Sequence, residues 1–153
     1  MADPDIRLEA LTHLDRPTFA AIRSLLPQLK NSTLEATYSP SFEELAEVVE
    51  SSGTTLIVAR AGEVLVGMLT LVMVRLPSAR VAHIEDVVVD ERCRGAGVGS
   101  QLITAALARA TEAGAKQVDL TSRPSRIAAN RLYQSLGFQP RETNVYRYTI
   151  TAG

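Results

Sequence analysis

The sequence predicts an α/β domain built on a mixed sheet, and three observations carry that reading. Residues 54–90 hold a succession of β-branched and aliphatic segments separated by short turns. A glycine-rich turn at residues 95–99 then opens into an amphipathic helical pattern, and helical spacings flank this centre on both sides.

Taken in order, Ile6, Leu8 and Ala10 alternate with polar residues and predict a first strand. Asp15 can cap the helix that follows, and Pro17 suits its first turn. Phe19, Ile22, Leu25, Leu26 and Leu29 recur at helical spacing, with Pro27 shortening the helix. A loop over residues 30–40 carries Tyr38. Ser41 and Glu44 form a capping-box pattern ahead of Leu45, Val48 and Val49, and this second helix ends by Gly53. Thr54–Arg60 and Glu63–Arg75 read as a hairpin about Ala61-Gly62, and Pro77-Ser78 turns the chain into a strand at Val81–Asp90. Leu102, Ile103, Ala106, Leu107 and Ala110 define the face of the next helix, closed by Gly114. A strand at Gln117–Thr121, a helix at Ser125–Leu136 and two short strands, around Phe138 and at Val145–Ile150, complete the expectation.

The 153 residues suit one domain, expected to span 1–153. With 16 basic and 17 acidic residues, no broad surface for nucleic acid or a membrane is expected, so an anionic ligand has to be met by a local cluster. Cys93 is the only cysteine, and with His13 and His83 it makes poor material for a metal centre; the expectation is metal-free and cytoplasmic. The N-terminal residues lack the basic flank and apolar run of a secretory signal. Val64–Val74 is too short to cross a bilayer as a helix and reads as a buried strand.

The chemistry concentrates at Arg92-Cys93-Arg94-Gly95-Ala96-Gly97-Val98-Gly99-Ser100, between a strand and a helix. Alternate glycines let backbone N–H groups converge, and the helix adds its positive dipole end, a combination that holds phosphate or pyrophosphate. Arg92 and Arg94 supply charge at the entrance. The plain alternative is a turn chosen for tight strand-to-helix packing. A Walker loop would need lysine after Gly99, where Ser100 stands. A dinucleotide fingerprint from Gly95 would need glycine or alanine at position 100 and would open a parallel sheet, whereas antiparallel strands precede this turn.

Arg94-x-x-Gly97-x-Gly99 after an aliphatic strand resembles the acetyl-CoA signature of the GNAT N-acetyltransferase superfamily, and Leu132-Tyr133-x-x-x-Gly137-Phe138 resembles that family's later tyrosine-containing helix and turn. The resemblance covers essentially the whole chain. It implies the GNAT acyl-CoA N-acyltransferase fold, a mixed, mostly antiparallel sheet of about seven strands flanked by about four helices. It implies that the fourth strand bulges and splays from the fifth at Val87, Val88 and Val89, whose exposed main chain bonds the pantetheine arm of acetyl-CoA. It further implies that Arg94, Gly95, Ala96, Gly97, Val98, Gly99 and Ser100 hold the pyrophosphate, and that Tyr133 protonates the departing thiolate. Asn130, one turn before Tyr133, can contact the cofactor arm. Many members carry asparagine seven residues before the tyrosine; here Arg126 stands there, and Arg123 and Arg126 can meet a CoA phosphate or an anionic substrate, or be solvated.

Acetyl transfer to an amine needs a proton acceptor, a polarised carbonyl and a proton for the thiolate. In an ideal strand His83 and Glu85 share one face and Asp86 points to the other. Glu85 is the preferred base and His83 the second candidate, each with a purely structural alternative. The N–H of Val87 would polarise the carbonyl. The His83-Ile84-Glu85-Asp86 segment resembles that of glucosamine 6-phosphate N-acetyltransferases. Cys93 lacks a neighbouring histidine and is not expected to carry the acyl group. The resulting expectation is an N-acetyltransferase acting on a small amine or amino sugar in a ternary complex. The alternatives are a peptide or protein N-acetyltransferase and a non-catalytic CoA-binding sensor. Family habit and the strand-like tail point to a homodimer.

Overall fold

The computed structural model describes residues 5–29 and 38–151. Most of the loop expected over 30–40 lies outside them; Tyr38 lies within and is exposed. Five strands, β1 (Ile6–Ala10), β2 (Thr54–Ala61), β3 (Val64–Arg75), β4 (Arg80–Val89) and β5 (Val118–Asp119), lie side by side in chain order. The first three pairings are antiparallel, and β4 pairs with β5 in parallel. The helices are α1 (Arg16–Leu25), α2 (Phe42–Glu50), α3 (Val98–Glu112) and α4 (Ile127–Ser135). The mixed α/β class is the expected one, with five described strands where about seven were expected.

Local chemistry sets the helix starts. The Asp15 carboxylate accepts the Thr18 N–H at 2.8 Å, relieving a donor with no intrahelical partner. Ser41 and Glu44 form the full reciprocal box, Glu44 N–H to Ser41 Oγ at 3.1 Å and Ser41 N–H to Glu44 Oε2 at 2.8 Å. Pro27 ends α1 as expected, and the chain tightens into a single 3-10 turn at Leu26–Gln28.

The sheet divides the core in two. One face packs on α1 and α2 through Ile22, Leu25, Leu45, Val49, Val58, Met68 and Val88. The other packs on α3 and α4 through Ile57, Leu69, Leu71, Ile84, Val98, Leu102, Ile103 and Tyr133. Close approach of α3 to the sheet depends on Gly67. A Cβ there would stand 3.1 Å from Leu102 Cδ1, 3.1 Å from Val98 Cγ1 and 3.3 Å from the Val88 carbonyl oxygen.

The far edge departs from expectation. The strand expected at Gln117–Thr121 is reduced to Val118–Asp119, and neither expected tail strand forms. Strand-prone sequence becomes strand only where an edge receives it. Tyr146, Tyr148 and Ile150 stay 88%, 91% and 87% exposed, while Phe138 sets its ring edge-on to Tyr133 at 6.0 Å.

Gly67→Ala is expected to cost about 1–3 kcal/mol through overpacking. Urea unfolding checks this, and an unchanged midpoint would contradict the tight seat of α3 on β3.

Candidate active site

The site is organised by β4, whose two edges differ. Against β3 it pairs along its whole length, Arg80 opposite Arg75 through Val89 opposite Gly67. Against β5 it pairs only at Ala82–Val118 and His83–Asp119. From Ile84 to Val89 that edge has no β5 partner, and its outward N–H and C=O groups face the opening between the strands.

The β3–β4 register shifts between Met68 and Thr70, and Asp86 sits at φ 52° in mid-strand. That is a β-bulge, with the extra residue in the left-handed region that Asp tolerates better than most side chains. The side-chain faces show its effect. Ala82 and Ile84 pack toward α3, Val88 toward α1 and α2, and Val87 and Val89 back toward α3. Simple alternation, and with it the expectation that Asp86 merely opposes Glu85, fails at this point. His83 and Glu85 lie on the α1–α2 face by the pleat on their side of the bulge, opposite Val72 and Thr70. Glu85 and Asp86 are exposed, His83 is half-buried, and desolvation nonetheless pushes the Asp86 carboxyl up from its usual range.

Below this edge the chain enters the glycine turn. Gly95 and Gly97 have φ of 82° and 81°, which favour glycine, and a Cβ on either would meet nothing within 4 Å. Gly97 is the N-cap of α3, and the first intrahelical bond runs from Gln101 N–H to the Gly97 carbonyl at 3.1 Å. The N–H groups of Val98, Gly99 and Ser100 therefore precede the helical ladder and aim out of its positive end. Gly99 has a further role: its Cβ would come within 3.3 Å of Leu132 on α4. An open cradle of amides with the exposed Arg94 beside it fits a pyrophosphate. The two arginines divide their work. Arg92 is committed to Asp90, with Nε to Oδ1 at 3.1 Å and Nη2 to Oδ2 at 2.9 Å, whereas Arg94 makes only a 3.4 Å contact to the Val89 carbonyl.

Tyr133 is buried in the α3–α4 half of the core, so its side chain lies on the sheet face opposite His83 and Glu85. Burial pushes its hydroxyl up from the ordinary tyrosine range, and the adjacent Arg126 guanidinium opposes that push. Asn130 points its amide nitrogen to the Arg123 carbonyl at 2.9 Å, so it clamps the loop before α4 and has its side-chain oxygen left for a ligand. Ala96 is half-buried in the turn, and Cys93 is a half-buried free thiol. Among the described residues no group of three or more His, Cys, Asp or Glu side chains could hold a metal ion. A concavity of about 380 Å³ lies on the α1 side of the Asp90–Arg92 pair, between Ser24, Gln28, Glu63 and Glu91, and includes neither Glu85 nor Tyr133.

The resemblance implies a bulge and splay of this strand at Val87–Val89, and the structure centres the bulge one residue earlier, at Asp86; sequence reasoning missed the Asp90–Arg92 pair and the influence of Arg126 on Tyr133. The pair was legible in principle, because Asp and Arg two residues apart across a turn start are natural partners. The influence of Arg126 depends on helix placement, and the exact position of the bulge on strand register.

The sequence profile of the Acetyltransferase (GNAT) family matches residues 10–138. Comparison with curated protein sequences finds no match. Among solved structures, the chain is similar to an aminoglycoside acetyltransferase from an uncultured soil metagenomic sample, at 25% identity and a TM-score of 0.82 over 96% of this chain and 97% of that one. It is similar to a Trypanosoma brucei acetyltransferase at 26% identity and a TM-score of 0.75, over 95% and 100% of the two chains. A third, a putative acetyltransferase from Agrobacterium tumefaciens, shares 25% identity at a TM-score of 0.78 over 94% and 99%. No helix among the described residues is long and apolar enough to cross a membrane.

Arg92 holds the Asp90 carboxyl down to about 2, from an ordinary value of 3.8. A depressed carboxyl stabilises the fold above its unfolded value and loses that contribution as pH falls through the folded one. Asp90→Asn is therefore expected to lower Tm at neutral pH, with the gap to the native protein closing between about pH 4 and pH 2. A gap that stays constant across this range in thermal melts would contradict the ion pair.

Proposed function

The chain belongs to the acetyltransferase (GNAT) family, whose members include acetyl-CoA-dependent N-acetyltransferases, and we propose that its own acceptor is the primary amine of a small molecule, an amino sugar among the candidates. The carrying observation is the open β4 edge, which runs into the glycine cradle with the Glu85 carboxylate on one face of the sheet and Tyr133 on the other. A thioester lying along that edge would have a proton acceptor on one side and a proton donor on the other. The aminoglycoside acetyltransferase similar to this chain supports a small amine, as does the near balance of 16 basic and 17 acidic residues, which lacks a charged surface for a large partner. The single unpaired Cys93 supports a cytoplasmic setting.

Acetyl-CoA supplies the activated acyl group, and the residues do the rest. The main chain of Val87, Val88 and Val89 bonds the pantetheine arm in place of the missing strand, and the amides of residues 95–100 with Arg94 hold the pyrophosphate. Glu85 accepts the proton of the incoming ammonium, directly or through water, with His83 the second candidate. Asp86, one residue along the bulge, is a candidate the strand pattern did not reveal; desolvation raises its carboxyl and makes it a stronger proton acceptor than an ordinary aspartate. The Val87 N–H stabilises the tetrahedral oxyanion, and Tyr133 gives its proton to the departing sulfur. Homodimerisation belongs to the same proposal, supported by a tail that leaves the large apolar side chains Tyr146, Tyr148 and Ile150 exposed.

Tyr133→Phe is expected to lower kcat by about 10²–10⁴-fold with little change in KM, read as thiol release from acetyl-CoA with a primary amine. Glu85→Gln should remove the acidic limb of the kcat/KM profile, and loss of that limb in Asp86→Asn instead would move the base one residue along. Mass spectrometry of an acceptor panel should find acetylated small amines. Acetylation confined to peptides would overturn the small-acceptor proposal, and tight CoA binding without transfer would favour a sensor. Light scattering should return twice the monomer mass, and removal of residues 139–153 should return the monomer.

A further inference from the structure

The sheet ends on an edge that no described residue covers, and the chain ends in a segment that no described edge receives. β5 is the last strand in the order and pairs only with β4. Past Phe138, residues 139–151 make no backbone hydrogen bond to any described residue, and Val145, Tyr146, Tyr148 and Ile150 are exposed. A run of large apolar side chains in water marks a contact surface. The root of this tail is firm: the Phe138 N–H bonds the Tyr133 carbonyl at 3.0 Å, and the Phe138 ring packs edge-on to Tyr133. Pro140 then fixes its own φ and biases Gln139 to extended backbone, which carries the chain outward from its own sheet.

We infer that two copies of this chain exchange their tails, each adding as an antiparallel strand to the outer edge of the other's β5, with Arg147 opposite Asp119. The inference rests on the homodimer reading and specifies its interface. Each copy gives a strand and receives one, so the contact is two-fold symmetric and closed. The unpaired N–H and C=O groups of β5 and of the tail satisfy one another, and no free edge remains on that side of the sheet.

The side chains fit this register. Val118 and Leu120 face the α3–α4 half of the core, and their opposites in the tail are Tyr148 and Tyr146. Asp119 pairs with His83 and points to the other face, where its opposite is the guanidinium of Arg147. The exchange thus places the partner's Arg147 on the sheet face that carries His83 and Glu85. The other sheet edge, β1, is less suited, because it presents Arg7, and its Glu9 is already bonded to Arg60 at 3.4 Å. The two tails bring four tyrosines, which cover about 600–1,000 Å² when buried. With Ile150 and the paired main chain this reaches the ~1,200 Å² at which specific interfaces begin.

The test is disulfide trapping in the full chain with Cys93→Ser as background. Residues opposite one another on antiparallel strands have Cα atoms about 4.5–5.5 Å apart, within the span of a disulfide. Asp119→Cys and Arg147→Cys chains, co-expressed with different tags and oxidised, should form a disulfide between unlike chains on a non-reducing gel, and neither variant alone should do so. Charge reversal is the second measurement. Arg147→Glu should weaken the dimer about tenfold in light scattering over a dilution series, and adding Asp119→Arg should restore it. A dimer in which the mixed pair does not react, or in which Arg147→Cys reacts alone, overturns the exchange and leaves the homodimer reading standing. Undiminished dimer in Arg147→Glu does the same. A native monomer mass overturns the homodimer reading itself, and a disulfide within one chain of the double variant shows the tail on its own β5.

Discussion

A strand in a sheet interior is bonded along both edges, and β4 is bonded along one and a fraction of the other. Its ladder to β5 stops at His83, which leaves the peptide groups of the following residues facing an opening in the molecule. Buried or half-buried backbone groups without partners are costly, so such an edge persists only where water or a ligand main chain can satisfy it. The rest of the architecture holds this edge open and equips it. The bulge at Asp86 bends β4 where the partnership ends and reverses which side chains face which helix layer.

Two further constraints tie the glycine cradle to that edge. Gly67 lets α3 settle on β3, and Gly99 lets α4 settle on α3, so the start of α3 is fixed against the sheet and against the helix that carries Tyr133. The Asp90–Arg92 pair ties the chain between β4 and the cradle, and the Glu91 N–H bonds the Gln28 side chain at 2.9 Å, linking the same turn to the end of α1. A displacement of any of these elements would move the amides at 98–100 relative to β4. The positive-φ glycines supply the shape of the turn, and these contacts supply its position.

Much of this was readable before any coordinates. Asp15, the Ser41–Glu44 box, Pro27 and the turn at 95–99 act through neighbours in sequence, so their roles are written in local spacing. The bulge was legible only through the resemblance, which implies it at Val87–Val89; its position at Asp86 arises from the register of β3 against β4, and Asp at φ 52° is tolerated rather than required. The tail misled for a related reason. Val145-Tyr146-Arg147-Tyr148 has strand-forming residues, but a strand also needs an edge to pair with, and among the described residues none takes it. Arg126 was legible as a departure from the family pattern.

The central claim is that the free edge of β4 and the cradle at the start of α3 form one continuous site for acetyl-CoA. Amide hydrogen exchange with and without CoA tests it directly. Bound CoA should slow exchange at Val87–Val89 and at Val98–Ser100 together, with little change along β1 and β2. Binding that leaves both segments unchanged and protects instead the concavity around Ser24, Gln28 and Glu63 would contradict it.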